Sequence, residues 1–230
     1  MMQHIIRLMQ LKIRYKKDFD KYFTLIFEKP AGFAFYPGQY LDIKLPVNDP
    51  NGDTKGGDTR AFTISSSPTE DFLMITPKKG ISPFKKFMEN LKTGDSMESS
   101  HPAGTFTLDE TSPAVFLAGG IGITPFRSII KSCLDEQIST PITLIHSNST
   151  DDFLFKDELE KWKQSLPNLN IIYHNSSQNG HLNQVPVTSY QQPIYYLAGS
   201  HSFVNDMAKL LIDSGIDETN IRYDRFDGYN

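Results

Sequence analysis

Cysteine is nearly absent from this sequence of 230 residues, which contains Cys133 and no other. A single cysteine excludes an internal disulfide bond, and it excludes an iron-sulfur cluster ligated by four cysteines of this chain. The six histidines are scattered, and no two have the spacing of metal ligands on one helix. We therefore predict no metal site, and we interpret the histidines mostly as surface or turn residues.

Long apolar runs and an excess of positive charge are also missing. No apolar stretch is long enough to span a bilayer, and the start of the chain lacks the basic, apolar and small-residue segments of a secretion signal. With 23 Lys+Arg against 27 Asp+Glu, the net charge of -4 argues against a nucleic-acid-binding surface. We expect a cytoplasmic monomer that has no membrane span and does not bind nucleic acid.

What the sequence does contain is a glycine turn between a strand and a helix. Residues 115–118 form an apolar run, the segment 119–122 holds three glycines, and Thr124 and Pro125 open an amphipathic pattern. Bare glycine backbone and a helix N-terminus suit an anion such as a pyrophosphate. Thr124 is predicted to cap the helix, with Pro125 at its first position. The alternative is that the glycines only pack the strand against the helix.

The first half of the chain is dominated by strand and turn patterns. One strand carries Arg60 and ends in a row of hydroxyls that includes Thr63 and Ser66. The arginine guanidinium is permanently charged and has several N–H donors in one plane, which suits a phosphate. Phe62 offers a flat apolar face. A surface strand with a serine-rich turn is the alternative interpretation. The preceding segment, 47–59, is predicted to be an exposed, mobile loop.

A second transition from glycine to helix occurs where Gly80-Ile81-Ser82-Pro83 parallels Gly122-Ile123-Thr124-Pro125. In both segments a hydroxyl side chain precedes a proline, and an apolar helix face follows. One such site in each half of the chain indicates two phosphate groups and hence two nucleotides. The alternative is that these residues simply begin two helices.

The second half alternates apolar strands with amphipathic helices, which is typical of a parallel sheet with crossover helices. Ligands bind beyond the carboxyl ends of the strands in sheets of this kind. Ser147 and Gly199 lie at the ends of two of these strands, so we expect them at the same edge as the glycine turn. We place the domain boundary between residues 110 and 111, which gives domains 1-110 and 111-230.

These motifs stand in a fixed order along essentially the whole chain: Arg60 to Ser66, Gly80 to Ser82, Ala118 to Pro125, Tyr196 to Gly199, and an aromatic tail. Together they resemble the ferredoxin-NADP reductase-like flavoprotein family, which includes NAD(P)H:flavin reductases and the reductase modules of oxygenases. The resemblance implies a six-stranded antiparallel β-barrel that holds FAD, followed by a parallel-sheet α/β domain that binds NAD(P)H as substrate.

The resemblance also implies roles for individual residues. Arg60 matches the arginine on the flavin pyrophosphate, Phe62 the aromatic packed on the flavin ring, and Thr63 the hydroxyl near flavin N5. Asp224, Phe226 and Tyr229 are the tail residues that match the carboxylate and the ring cover near the reacting atoms. The residues implied to bind the two nucleotides are Arg60, Phe62, Thr63, Ile64, Ser66, Gly80, Ile81, Ser82, Gly119, Gly120, Gly122, Ile123, Thr124, Ser147 and Gly199.

The sequence departs from the family pattern at three places. Many relatives carry a cysteine where this chain has Ala198, so a thiol that assists hydride transfer is missing. Asp224 stands where the family often has the longer glutamate. The segments 147–151 and 176–178 contain no cation to pair with the ribose phosphate of NADPH. Because an unpaired phosphate near Asp151 would be unfavourable, NADH is the favoured donor.

The predicted activity is hydride transfer from NAD(P)H to FAD, with electrons then passed to a separate acceptor such as a ferredoxin, an oxygenase or another redox partner. A flavin reductase that uses free flavin as its substrate is the first alternative. A non-catalytic nucleotide-binding or electron-transfer subunit that needs a partner is the second. No feature of the sequence ranks the acceptors.

Overall fold

The computed structural model describes residues 8–49, 57–185 and 190–226. Tyr229 therefore lies outside the described residues. The chain divides into two compact units, of which the first ends at Thr105 and the second begins at Phe106. Within the described ranges, no helix is both long and apolar enough to cross a membrane.

The first unit is an antiparallel sheet with one helix. Its apolar side chains alternate along the strands, so one face of the sheet forms a core. Its elements are β1 (Met9–Asp18), β2 (Phe23–Glu28), β3 (Tyr40–Lys44), β4 (Thr59–Thr63), β5 (Phe72–Ile75), α1 (Pro83–Asn90) and β6 (Ser96–Ser99).

The six strands pair in the order β4-β3-β6-β1-β2-β5. A backbone hydrogen bond of 2.7 Å from Ser65 N–H to Met74 O links the chain after β4 to β5, so the sheet curls and its two edges approach each other. Leu11 of β1 pairs with Met97 of β6, and both side chains are buried in the core. The predicted six-stranded antiparallel domain is confirmed, as a curled half-barrel.

Helix α1 packs on this core through Phe84 and Met88, which are fully buried. Their spacing of four residues places them on one face of the helix. Burial of two such side chains stabilises the fold by about 1.5–3 kcal/mol each. The contact fixes the position of the helix N-terminus against the sheet.

The second unit is a parallel sheet flanked by helices, which confirms the predicted α/β class. Two of its strands, Ala114–Gly119 and Ile194–Ser200, are almost entirely buried apolar runs, as expected where both faces of a sheet are covered. The elements are β7 (Ala114–Gly119), α2 (Ile123–Glu136), β8 (Ile142–Asn148), α3 (Lys156–Lys163), β9 (Leu169–Asn175), α4 (Ser176–Asn179), β10 (Ile194–Ser200), α5 (His201–Asp213) and β11 (Ile221–Phe226), with short 3-10 turns at Gly120–Gly122 and Glu218–Asn220.

The strands of the second sheet lie in the order β11-β10-β7-β8-β9, and all neighbours are parallel. The chain runs from β7 outward to β8 and β9, and it then returns to the other side of β7 to form β10 and β11. The order of the strands therefore reverses between β7 and β10. In doubly wound sheets this is the position of the ligand crevice, beyond the carboxyl ends of the strands.

The division between the units falls five residues before the expected boundary at 110/111. The reason is that residues 106–110 pack on the second sheet. Phe106 contacts the rings of Phe126 and Tyr196, at centroid distances of 5.8 and 5.6 Å. Asp109 N–H donates a 2.8 Å hydrogen bond to the Tyr196 hydroxyl.

Candidate functional site

Arg60 on β4 is the centre of a buried polar site in the first unit. It is 7% exposed, its Nη2 donates to Asp49 Oδ2 at 2.5 Å, and its guanidinium carbon lies 5.2 Å from the centroid of the Phe84 ring. Phe84 is the second residue of α1, so the cation stands beside the N-terminus of that helix. Arg60 Nε is buried and has no hydrogen-bond partner among the described residues.

The start of α1 is built as predicted. Ser82 is the N-cap and its hydroxyl accepts a 3.4 Å hydrogen bond from Lys85 N–H, while Pro83 occupies the first helical position. Burial, and then the neighbouring charge of Arg60, lower the pKa of Lys85. A helix N-terminus and two cations therefore share one place, which favours an anion there.

The two residues before Ser82 are placed differently from each other. Gly80 N–H donates to Glu89 Oε1 at 2.9 Å, and a Cβ on Gly80 would lie 2.5 Å from the Lys85 side chain. Ile81 is 95% exposed. The N–H of Gly80 is thus bound by the Glu89 carboxylate of α1. Ile81 presents an apolar side chain to solvent.

Asp49 is a residue that the sequence interpretation missed. The segment 47–59 was expected to be an exposed loop, but the Asp49 side chain is fully buried. Its backbone lies against Gly57, whose φ is +62° and where a Cβ would stand 1.5 Å from Asp49 O. The contact therefore requires a residue without a side chain at Gly57.

The remaining residues of the β4 motif fall into two groups. Phe62 stacks on Phe84 at 6.1 Å, and Thr63 is 8% exposed at the end of β4. Ile64 is a core residue, and the Ser66 hydroxyl accepts a 3.0 Å hydrogen bond from Met74 N–H. The contacts of Ile64 and Ser66 hold the sheet together, whereas Phe62 and Thr63 lie near Arg60 in sequence on the same strand.

The glycines of the second unit meet at the switch point between β7 and β10. A Cβ on Gly199 would lie 3.1 Å from Gly119 O, and one on Gly122 would lie 2.0 Å from Ala198 O. A Cβ on Gly119 would stand 2.6 Å from the Phe203 ring. Close packing inside the unit therefore requires glycine at Gly119 and Gly122, so the packing alternative accounts for part of this motif.

The start of α2 differs from the prediction. Gly120–Gly122 forms a 3-10 turn that continues directly into the helix, so the helix begins at Ile123 with Gly122 as its N-cap. Thr124 is the second helical residue rather than the cap, and its hydroxyl donates to Ile121 O at 3.1 Å. Pro125 is the third helical residue, where an N–H is also not needed for helical bonding. The two glycine-to-helix segments are thus built differently.

His146 on β8 is a second residue that the sequence interpretation placed wrongly, because it is buried and not at the surface. Its Nε2 lies 3.0 Å from Gly120 O, and its ring contacts the ring of Phe153 at 5.2 Å. Burial lowers the pKa of His146 to about 4. At neutral pH Nε2 must therefore carry the single proton of a neutral ring to donate to the Gly120 carbonyl.

The ends of β8 and β9 form a polar cluster around Asp151. Its two carboxylate oxygens accept hydrogen bonds from Asn175 Nδ2 at 2.9 Å and Gln178 Nε2 at 3.0 Å. Ser147 pairs in register with Gly119 of β7 and is 8% exposed. The ends of β8 and β9 thus hold a carboxylate that two amides fix in place.

Asp224 lies on β11, in register with Ala198 of β10. Burial raises the pKa of this carboxyl to about 7. Phe226 is the last residue of β11 and pairs with Ser200. The carboxyl and the glycine at Gly199 thus belong to neighbouring strands at the switch-point edge, while Tyr229 lies outside the described residues.

Comparisons with known proteins agree with this geometry. Residues 116–209 match the family model of the oxidoreductase NAD-binding domain. The chain is 28% identical over 223 residues to flavohemoprotein A of Dictyostelium discoideum, covering 89% of this chain and 55% of that protein. It is 29% identical over 208 residues to the toluate 1,2-dioxygenase electron transfer component of Pseudomonas putida, covering 84% and 59% respectively.

A ferredoxin NADP+ reductase from Neisseria gonorrhoeae, whose crystal structure has bound FAD and NADP, superimposes with a TM-score of 0.77 at 20% identity, covering 95% of this chain and 98% of that one. At that identity the likeness shows the fold. Residues 116–209 of the second unit thus match an oxidoreductase NAD-binding domain, and the whole chain has the fold of a ferredoxin NADP+ reductase. It spans little more than half the length of the two curated relatives.

Proposed function

We propose that this chain is an FAD-dependent reductase that takes a hydride from NADH and passes electrons to a separate redox protein. The observation that carries the proposal is the buried Arg60 at the N-terminus of α1, with its Nε unpartnered among the described residues. A buried donor without a partner is rare in a folded protein and indicates a ligand that supplies the acceptor.

The residues of the first unit fit a flavin with a pyrophosphate. Arg60 and the start of α1 would hold the pyrophosphate, and Phe62 would pack on the flavin ring. When bound, FAD supplies the chemistry by accepting a hydride and releasing electrons singly or in pairs. The protein contributes position and electrostatics, which are the main sources of rate in a reaction between two bound rings.

The Thr63 hydroxyl is proposed to donate a hydrogen bond toward flavin N5. Thr63 lies at the end of β4, three residues after Arg60, and its burial would shield such a hydrogen bond from water. Asp224, whose carboxyl holds a proton up to about pH 7, is proposed to act as the proton reservoir near the nicotinamide. The roles of Phe226 and Tyr229 as a ring cover rest on the family resemblance.

The nicotinamide nucleotide is proposed to bind at the switch point of the second sheet, with its phosphates at Gly120 and the start of α2. Asp151 supports the preference for NADH. Its carboxylate is fixed by two amides and stands at the strand edge where a ribose 2′ group is expected. A hydroxyl can donate to this carboxylate, whereas a 2′-phosphate would be repelled by it.

The electron acceptor is proposed to be a separate redox protein, by analogy with the electron transfer component of the dioxygenase relative. No described group of His, Cys, Asp or Glu residues could hold a metal ion, so a metal-based acceptor would be supplied by another protein or by residues that the structure does not describe.

The test is to purify the chain, add FAD, and follow bleaching of the flavin absorbance by NADH and by NADPH under anaerobic conditions. Stoichiometric reduction that is faster with NADH is the expected result. A protein that binds no flavin, in the purified state or after reconstitution, would refute the proposal. Flavin that binds but is not reduced by either donor would instead favour a non-catalytic role.

A further inference from the structure

The guanidinium that is proposed to bind the flavin pyrophosphate is paired with a carboxylate of its own chain. We propose that Asp49 competes with the flavin phosphates for Arg60, so that the flavin is held weakly and exchanges with free flavin in solution. The inference rests on the proposed function, because it concerns the affinity of the same site.

The pairing between Asp49 and Arg60 is built into the fold. Asp49 is fully buried and Arg60 nearly so, which means that the ion pair is shielded from water and salt. The backbone of Asp49 rests on Gly57, where any side chain would collide with the Asp49 carbonyl. The carboxylate is therefore held at Arg60 by packing as well as by charge.

The charge balance explains why this pairing weakens an anion. Arg60, Lys78 and Lys85 supply positive charge around the start of α1, and Asp49 and Glu89 supply negative charge. Asp49 is the carboxylate that pairs with Arg60 itself. Arg60 Nε remains able to donate to a phosphate oxygen, but that oxygen would approach a site that already contains a buried carboxylate. Like charges in a buried site repel strongly because the effective dielectric constant is low.

The consequence is a reductase that binds flavin and releases it on the time scale of use. The proposed electron transfer to a separate redox protein is unaffected, because it needs the flavin to be bound only during turnover. The occupancy of the site then depends on the concentration of free flavin. The proposed weak affinity for flavin depends on the Asp49 carboxylate, and it can be measured directly.

The experiment compares the wild-type chain with Asp49→Asn by titration with FAD, FMN and riboflavin, using the quenching of flavin fluorescence. Asparagine keeps an oxygen that accepts from Arg60 and removes the negative charge. The expected result is a dissociation constant on the order of tenfold lower for FAD and FMN, and no change for riboflavin, which lacks phosphate. The variant should also release FAD more slowly. The release rate is measured by the transfer of FAD to an excess of a flavin-free acceptor protein.

Asp58→Asn is the matched control, because Asp58 lies in the same loop and pairs with Lys44 at 3.8 Å instead of Arg60. It is expected to leave the FAD affinity unchanged. Asp49→Glu keeps the charge and is expected to keep weak binding, and Asp49→Ser is a second neutral variant. Thermal unfolding checks that each variant is folded.

The outcomes separate this inference from the proposed function. If FAD binds to the wild type but Asp49→Asn and Asp49→Ser bind it no more tightly, the competition is refuted while the proposed function stands. Weaker binding by Asp49→Asn would show that Asp49 positions Arg60, which also overturns the inference. An equal gain for riboflavin would exclude the phosphates as the cause. Absence of flavin binding in every variant would refute both proposals.

Discussion

The imidazole Nε2 of His146 lies 3.0 Å from the carbonyl oxygen of Gly120, which joins the end of β8 to the glycine turn after β7. Gly120 has a φ of +52°, a left-handed conformation, and its carbonyl oxygen also accepts the backbone N–H of Ile123. A carbonyl oxygen can accept two hydrogen bonds, and the neutral ring supplies the second donor. His146 is therefore the side chain that fixes the turn on which the nicotinamide nucleotide is proposed to bind.

We predict that His146→Phe costs about 1 kcal/mol of unfolding free energy at pH 7.5, because the Gly120 carbonyl loses one of its two donors. The pKa of His146 is lowered to about 4 from 6.5, so the stability that it contributes is present above pH 6.5 and is lost as the pH falls toward 4. That loss is at most about 3 kcal/mol in the wild type.

The variant should therefore match or exceed the wild type at pH 4.5. Urea denaturation at pH 7.5 and 4.5 checks this crossover. His174→Phe is the control, since His174 contacts Gly180 O at 2.8 Å but is only partly buried. A stability difference that is the same at both pH values would contradict the role of His146.

We predict that Gly122→Ala is much more damaging than Gly119→Ala. Both glycines have φ values that alanine accepts, so the comparison isolates packing. At Gly122 the new methyl group meets the backbone of Ala198, which cannot move without breaking the pairing of β10, whereas at Gly119 it meets the Phe203 side chain. We expect a loss of about 3 kcal/mol or more for the first and about 1–2 kcal/mol for the second. Equal losses in thermal unfolding would contradict this account.

The sequence predicted those features that depend on local pattern. Strand and helix periodicity gave both units, and the glycine turn fell at the switch point because it directly follows a buried strand. The start of α2 was predicted two residues late, since a 3-10 turn that runs into a helix has no side-chain cap to mark it. The burial of Asp49 and His146 could not be predicted, because each depends on a residue 11 or more positions away.

We predict that Thr63→Ala slows reduction of bound flavin by NADH about fivefold to tenfold, the cost of one lost hydrogen bond. Thr63→Ser keeps the hydroxyl and should restore most of the rate. Stopped-flow absorbance of the flavin after mixing with NADH measures this step alone. An alanine variant that reduces its flavin as fast as the wild type would remove Thr63 from the reaction.

We predict that Asp151→Asn raises kcat/KM for NADPH about tenfold and lowers it slightly for NADH. The change removes a negative charge that would face the 2′-phosphate, while the amide oxygen still accepts from Asn175 or Gln178. Asp152→Asn removes the same charge one residue further on and should change neither value. If Asp151→Asn changes kcat/KM by the same factor for NADH and NADPH, Asp151 does not discriminate between the two nucleotides.

The last prediction concerns Asp224, whose carboxyl pKa is raised by burial from 3.8 to about 7. A raised carboxyl pKa means that the folded state binds the proton more tightly than the unfolded state. The stability linked to this group is therefore fully present below pH 3.8 and is lost as the pH rises through 7. The loss is at most about 4 kcal/mol in the wild type. Asp224→Asn removes it, so the variant should gain stability relative to the wild type between pH 4.5 and pH 8.

Urea denaturation at those two pH values, with the exposed Asp206→Asn as control, measures the gain. The same variant tests the proposed proton reservoir. If Asp224 holds a proton during turnover, the limb near pH 7 in the wild-type profile of kcat/KM for NADH should disappear in Asp224→Asn. A gain in stability with an unchanged pH profile would assign Asp224 to the packing of β11 and leave the proton to come from solvent.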